Sequence, residues 1–218
     1  MPTQTQYIQK ATQELLHPTL EATQQYLEVC ELELKNGLPK VVRVNEEYHG
    51  DKVAVYFEVK DERYYIEVHV TKEPDIKVDS SWTQSAHRVY LTDTSKELSY
   101  RELASFLPTF EPLTGWSKDD TRGVGTSTYG FSRISFEPIT NEAYELNEKL
   151  DLLLDDLEKD AEAVRELSQH ADAIISVCRH QYIGGNAGIH FDIETIGRMK
   201  HLNLGIDIDT YIIGKELR

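Results

Sequence analysis

Cysteine is nearly absent. The 218 residues hold two, Cys30 and Cys178, far apart and forming no Cys-x-x-Cys pair. Two thiols make no disulfide framework, so a reducing cytoplasm is the expected setting. Long apolar runs are missing too: none approaches the roughly 18 residues that a membrane helix needs. The opening Met1-Pro2-Thr3-Gln4-Thr5-Gln6 lacks the basic region and apolar stretch of a secretory signal. Neither observation favours a membrane partner. Positive charge is scarce, with 23 Lys and Arg against 38 Asp and Glu, a formal net charge of −15. That balance opposes a phosphate backbone, which is gripped chiefly by Lys and Arg, so no nucleic-acid partner is expected. The Gly-x-Ser-x-Gly elbow, the P-loop and the Gly-x-Gly-x-x-Gly fingerprint are all missing, and no cofactor is expected.

The composition that remains is that of an ordinary soluble protein, 39% hydrophobic and 28% charged, long enough to bury a sizeable core. Acid is concentrated in one place. Residues 141–170 hold ten Asp and Glu against Lys149, Lys159 and Arg165, a net of −7. Such a stretch reads as a solvated helix face or as a docking surface for a basic partner.

The first part of the chain predicts two helices within 5–35. Ile8, Ala11 and Leu15 mark one face, and Pro18 then opens a second helix. Its stripe is Leu20, Thr23, Leu27, Cys30 and Leu34, with Gly37 as terminator. Cys30 reads as a small buried hydrophobe. Strands follow from Val41. Val53, Val55, Phe57 and Val59 alternate with Ala54, Tyr56 and Glu58, and Ile66, Val68 and Val70 with Tyr65, Glu67 and His69. Period-two patterning across the short Asp61-Glu62 link predicts an antiparallel meander with one buried face. Residues 73–85 are polar and weakly patterned, which places a boundary there.

The second part restarts with a strand at Arg88-Val89-Tyr90-Leu91. Ser99-Tyr100-Arg101-Glu102 matches a capping box and predicts a helix. A polar loop runs from Trp116 to Gly125, and a strand from Tyr129 to Phe136. A long helix follows, with Leu146, Leu150, Leu153, Leu157, Ala161 and Val164 on one stripe and a break near Lys159-Asp160. Next come a strand over Ile174–Ile183, a glycine turn and a short helix capped by Asp192. A terminal strand closes the chain. The expected fold class is therefore α+β. N-terminal helices with an antiparallel β-meander occupy residues 1–84, and a β-α-β-α-β-α-β unit with helices packed on a mixed sheet occupies 85–218.

The matching pieces of the second part are Trp116-Ser117-Lys118-Asp119-Asp120, the leucine-rich helix 146–167, Gly188-Ile189-His190-Phe191 and Gly205-Ile206-Asp207-Ile208-Asp209-Thr210-Tyr211. In order and spacing, residues 86–213 resemble a widespread bacterial family of unknown function. Its members end in a Leu-Asp-Ile-Asp-Tyr-like strand. Asp119 departs from the glycine that often follows the lysine there. The resemblance implies a fold and a bacterial cytoplasmic setting, and no reaction.

Alternation on the terminal strand puts Asp207, Asp209 and Tyr211 on one face and Ile206, Ile208 and Ile212 on the other. The two carboxylates, about 7 Å apart, can accept a hard cation or act as an acid–base pair; solvent-facing structural carboxylates are the commoner case. His190 and Asp192 can complete such a site, though Asp192 is by default an N-cap. His180, His190 and Asp192 are metal ligands in kind, at a spacing that matches no zinc signature. Gly184-Gly185-Asn186-Ala187-Gly188 reads as a turn needing positive φ. In the tryptophan loop around Trp116, Lys118 and Arg122 can receive an anion, or the loop is self-satisfied with Trp116 packed on the core. Tyr56, Tyr64, Tyr65 and Tyr90 fall on strands and suit an interface or a core edge. The resulting expectation is a non-enzymatic protein that binds or regulates a protein partner, possibly a basic one, in the manner of an immunity or inhibitor protein. The alternative is a metal-assisted hydrolase using His190, Asp192, Asp207 and Asp209.

Overall fold

In the computed structural model, residues 3–72, 75–123, 125–185 and 188–217 are described. Helices and a mostly antiparallel multi-strand sheet make an α+β protein with N-terminal helices and a strand meander. The chain divides into two compact units, each entered more than once. The first takes residues 1–86, 179–187 and 210–218, and the second takes 87–178 and 188–209. Three strands contribute one end to each unit, which a linear division at residue 85 does not convey.

In the first unit, α1 (Gln4–Leu16) opens with a Thr3–Gln6 capping box. Helix α2 (Glu21–Val29) stops earlier than its apolar stripe predicts. Beyond Cys30 the chain enters a small ribbon of β1 (Leu34–Lys35) and β2 (Leu38–Pro39), turned by Asn36 and Gly37 at positive φ. Leu34 and Leu38 of this ribbon are exposed rather than part of a helix stripe. Burial pushes the Cys30 thiol up to about 11, so it behaves as an inert hydrophobe. The meander is β3 (Val41–Asn45), β4 (Lys52–Glu58), β5 (Tyr64–Thr71) and the start of β6 (Val78–Ser95), each antiparallel to the next. Tyr7, Ala11 and Leu15 of α1 pack on Val53, Val55, Phe57, Ile66, Val68 and Val70.

Two expectations fail here. The polar stretch before residue 85 is mostly strand, because Val78 to Ser85 pairs with Val70 to Tyr64. The meander also buries parts of both faces: Ala54, Tyr56, Glu67 and His69 are at most 4% exposed. Glu67 and His69 tolerate burial because they satisfy each other. His69 Nε2 lies 2.7 Å from Glu67 Oε1, its Nδ1 lies 2.9 Å from Ser80 Oγ, and Tyr48 stacks over the imidazole.

In the second unit, the later part of β6 pairs with β8 (Ser132–Phe136), and β8 with β7 (Leu113–Trp116). Strand β9 (Asp172–Tyr182) and β10 (Gly205–Ile213) complete the hydrogen-bonded order β10-β9-β6-β8-β7. The helices are α3 (Tyr100–Ser105), α4 (Leu146–Leu157), α5 (Ala161–His170) and α6 (Ile193–His201). The α3 cap forms as read: Ser99 Oγ accepts from the Glu102 N–H, and Glu102 accepts from the Ser99 N–H. The break after α4 is a single 3-10 turn, Glu158–Asp160, and Asp160 caps α5. Leu103, Leu150, Leu153, Leu154, Leu157, Val164, Leu167 and Met199 from the helices pack on Val89, Leu91, Ile134, Phe136, Ile175 and Val177 from the strands. All these strand residues lie on one sheet face, so among the described residues the helical layer covers that face alone.

The glycine turn is built differently from its expected form. Gly184, Gly185 and Gly188 are not at positive φ, and Asn186 and Ala187 lie outside the described residues. Gly184 instead makes room for an aromatic ring: a Cβ there would stand 2.7 Å from Tyr182 Cε1.

Candidate functional site

Helix α6 begins where Asp192 Oδ1 accepts the Thr195 N–H at 2.7 Å, and these amide contacts hold the Asp192 carboxyl below its usual range. Asp192 is thus committed as an N-cap, with His190 close enough to contribute electrostatically. The inner side of α6 buries Thr195 and Met199, and Asn203 at positive φ follows its end. Its Arg198 reaches α4 and the turn after it. Nη2 lies 2.6 Å from Asp155 Oδ1 and 2.9 Å from Glu158 Oε2, Nε lies 3.0 Å from Glu158 Oε1, and Nη1 lies 3.5 Å from Asp151 Oδ1.

What this docking leaves outward is unusual. Ile193 is 84% exposed, and Ile196, one turn on, is 46% exposed; Ile189, just before the helix, is 40% exposed. Three exposed isoleucines in eight residues form the kind of apolar patch that marks an interaction site. Asp192 and Glu194 stand on either side of Ile193 in the chain. Partial burial raises the Asp151 carboxyl, Arg198 opposes that, and Asp155, Asp192 and Glu194 push it further up. Asp155, Asp192 and Glu194 therefore all act on Asp151, while Arg198 clamps Asp151, Asp155 and Glu158.

On the sheet face turned away from the helices, side chains form a continuous stack of cations and rings. Arg122 lies 4.9 Å over Tyr129, and Tyr129 stacks on Trp116 at 4.3 Å and 18°. Trp116 faces Arg133 at 5.4 Å, Arg133 faces Tyr90 at 5.7 Å, and Tyr90 faces Arg88 at 5.1 Å. Arg88 ends the stack in a pair with Glu137 at 2.6 Å. Trp116 and Arg122 are thus brought together, through Tyr129, into an ordered surface. The Trp116 indole N–H donates to the Phe131 carbonyl, and the Lys118 backbone N–H donates to Ser132 Oγ. Arg133 and Tyr129 were missed from sequence. Their signal is the cross-strand pairing of Trp116 with Arg133, invisible until β7 is recognised as a strand.

The terminal block is more dispersed than its spacing suggests. Asp207 and Asp209 are exposed, opposite Ile206 and Ile208, which pack on the core of the second unit. Tyr211, in the first unit, stacks on His180 at 5.1 Å, and His180 Nε2 lies 3.3 Å from Arg63 Nη1. Ile212 is 56% exposed, and Ile213 takes the buried role expected of it. Among the described residues, no group of three His, Cys, Asp or Glu side chains is placed to hold a metal ion.

Residues 85–213 match the DUF4279 family, described as a domain of unknown function, and the chain belongs to that family. No curated protein and no solved structure matches the chain. No helix among the described residues is long and apolar enough to cross a membrane.

Proposed function

We propose that this DUF4279 member is a non-catalytic binding protein that docks a basic protein partner on the outer side of α6. It regulates that partner as an immunity or inhibitor protein does. The observation that carries the reading is the exposure of Ile193 between Asp192 and Glu194. Leaving Ile193 in water forgoes about 1.5–3 kcal/mol that burial would return, and a partner's apolar contact recovers it. Asp151, Asp155, Asp192 and Glu194 then meet Lys or Arg at the rim, which speeds encounter and sets orientation. The formal charge of −15 extends that attraction beyond the patch. The reading includes a bacterial cytoplasmic setting, in keeping with Cys30 and Cys178 standing outside any disulfide.

The test begins with a partner captured from the native host, identified and purified. Calorimetry of that partner against the wild type, Ile193→Ala and Asp151→Asn then measures the patch. Ile193→Ala is expected to weaken binding by roughly tenfold to a hundredfold. Asp151→Asn should slow association and flatten its salt dependence. Equal affinity for all three folded proteins would remove the patch from the interface. An acidic partner would overturn the charge argument.

A further inference from the structure

The helical layer of the second unit packs on one side of the β10-β9-β6-β8-β7 sheet. On the other side stand both the stack built on the tryptophan loop and the paired aspartates of β10. Arg88 and Tyr90 of β6, Arg133 of β8 and Trp116 of β7 are half-buried there, with Tyr129 and the exposed Arg122 beyond them. Ile174 and Ser176 of β9, opposite the core residues Ile175 and Val177, are half-buried as well. Asp207 and Asp209 close the far edge, both exposed. Tryptophan, tyrosine and arginine are the residues that protein interfaces concentrate.

Two cations of the stack have no acid of their own. Arg133 donates only to hydroxyls, from Nε to Ser135 Oγ at 3.1 Å and from Nη2 to Thr92 Oγ1 at 3.1 Å. Among the described residues, neither Arg133 nor Arg122 forms an ion pair with a carboxylate, and Glu137 is committed to Arg88. Asp120 shares the loop with Arg122, yet its carboxylate accepts the Ser117 N–H at 2.7 Å. With 38 acids against 23 bases in the chain, this is not for want of partners. Each ring already faces two neighbours in the stack, which leaves little ring surface for a nucleic-acid base. The available groups are guanidinium N–H donors, and they suit carboxylates.

We propose that this side of the sheet is a self-association surface, on which a second copy of the chain packs sheet to sheet about a two-fold axis along β6. Strand β6 is the middle one of the five, so that axis lays β10 of each copy over β7 of the other. Stacked sheets stand about 10 Å apart, within reach of arginine side chains. Asp207 and Asp209 of either copy then meet Arg122 and Arg133 of its mate, and Tyr90, Trp116 and Ile174 are closed off from water between them. The patch on α6 belongs to the helical layer, so the two surfaces do not compete.

Analytical ultracentrifugation of the whole chain, over a range of concentration and salt, tests the proposal. Five strands span only about 20 Å, a small interface, so a monomer–dimer equilibrium in the micromolar range is expected, weakened by salt. Arg122→Glu/Arg133→Glu and Asp207→Lys/Asp209→Lys should each weaken it by about tenfold or more, because like charges then face each other. An equimolar mixture of the two variants should dimerise again, since the new acids of one meet the new lysines of the other. A damaged fold would give no such recovery. A monomer at every concentration overturns the proposal, as does a mixture of folded variants that stays monomeric. Asp207 and Asp209 are exposed, so a dimer unmoved by their replacement overturns it even where the arginine variant fails to fold. A monomer that binds hexaglutamate or a thymidine oligonucleotide overturns it too, and gives the surface to an anionic partner.

Discussion

Replacing Asp93 with asparagine should change how the stability of this protein depends on pH. Burial, helped by Asp172, pushes the Asp93 carboxyl from 3.8 up to about 7. Between those two values the folded protein holds a proton that the unfolded chain has released. Stability therefore falls as pH rises through this window, and the loss is complete above about 7. The rise from 3.8 to about 7 corresponds to about 4 kcal/mol at most. Asparagine has nearly the same shape and never ionises, so it escapes that loss. It brings a buried amide in return, costing about 1–3 kcal/mol when its donors go unpaired. The variant should thus be more stable than the wild type at pH 8.5, by about 1–3 kcal/mol. That is a melting temperature roughly 2–12 °C higher for a chain of this size. At pH 4.5 the advantage should vanish or reverse, because Asp93 is then protonated. Thermal unfolding of both proteins from pH 4.5 to 8.5 gives the difference directly, and titrations common to both cancel. A difference that stays flat across the window would refute the reasoning, since it would mean that Asp93 is ionised in the fold throughout.

Two further substitutions test the second unit. Gly115 has φ of 155°, and a Cβ built there would stand 1.9 Å from the Arg133 carbonyl oxygen. Gly115→Ala must push β7 off β8, so a loss of more than about 2 kcal/mol is expected in chemical denaturation; a loss under about 0.5 kcal/mol would show that the strands part freely. Lys149 is fully buried, and its ammonium donates to the His87 carbonyl at 2.8 Å and the Asn141 carbonyl at 3.0 Å. Burial lowers it to about 8, against the pull of Glu137. Lys149→Met fills the space but orphans both carbonyls, which should destabilise by about 1–3 kcal/mol. Greater stability in the variant would mean that charge burial outweighs those hydrogen bonds.

The parts legible in the sequence are those where one residue settles a local geometry. Ser99 with Glu102, and Asp192, each marked a helix start, because a cap needs a short acceptor at one position, and Lys159-Asp160 marked a break. The terminal strand was legible because Ile206 and Ile208 alternate with Asp207 and Asp209. Features made by distant partners were not. The Ser-rich stretch of β6 became a strand because Tyr64–Val70 pairs with it, which propensity alone does not report. Strand β7, four residues with a glycine inside, carries no pattern of its own. Asp93 lies beyond the strand read at Arg88-Val89-Tyr90-Leu91, and nothing in its sequence neighbours marks it as buried. The acidity of residues 141–170 was plain; that α6 would bury Thr195 and Met199 and leave Ile193 and Ile196 outside was not.

The way the chain re-enters its first unit bears on inheritance. The family match ends at residue 213, yet residues 179–187 and 210–218 belong to the same compact unit as residues 1–86. A recombination event joining a different N-terminal segment at residue 85 would strand those two pieces without their native companions. The N-terminal 84 residues are therefore not a detachable accessory. Chimaeras should therefore be made by exchanging residues 1–86, 179–187 and 210–218 as one set.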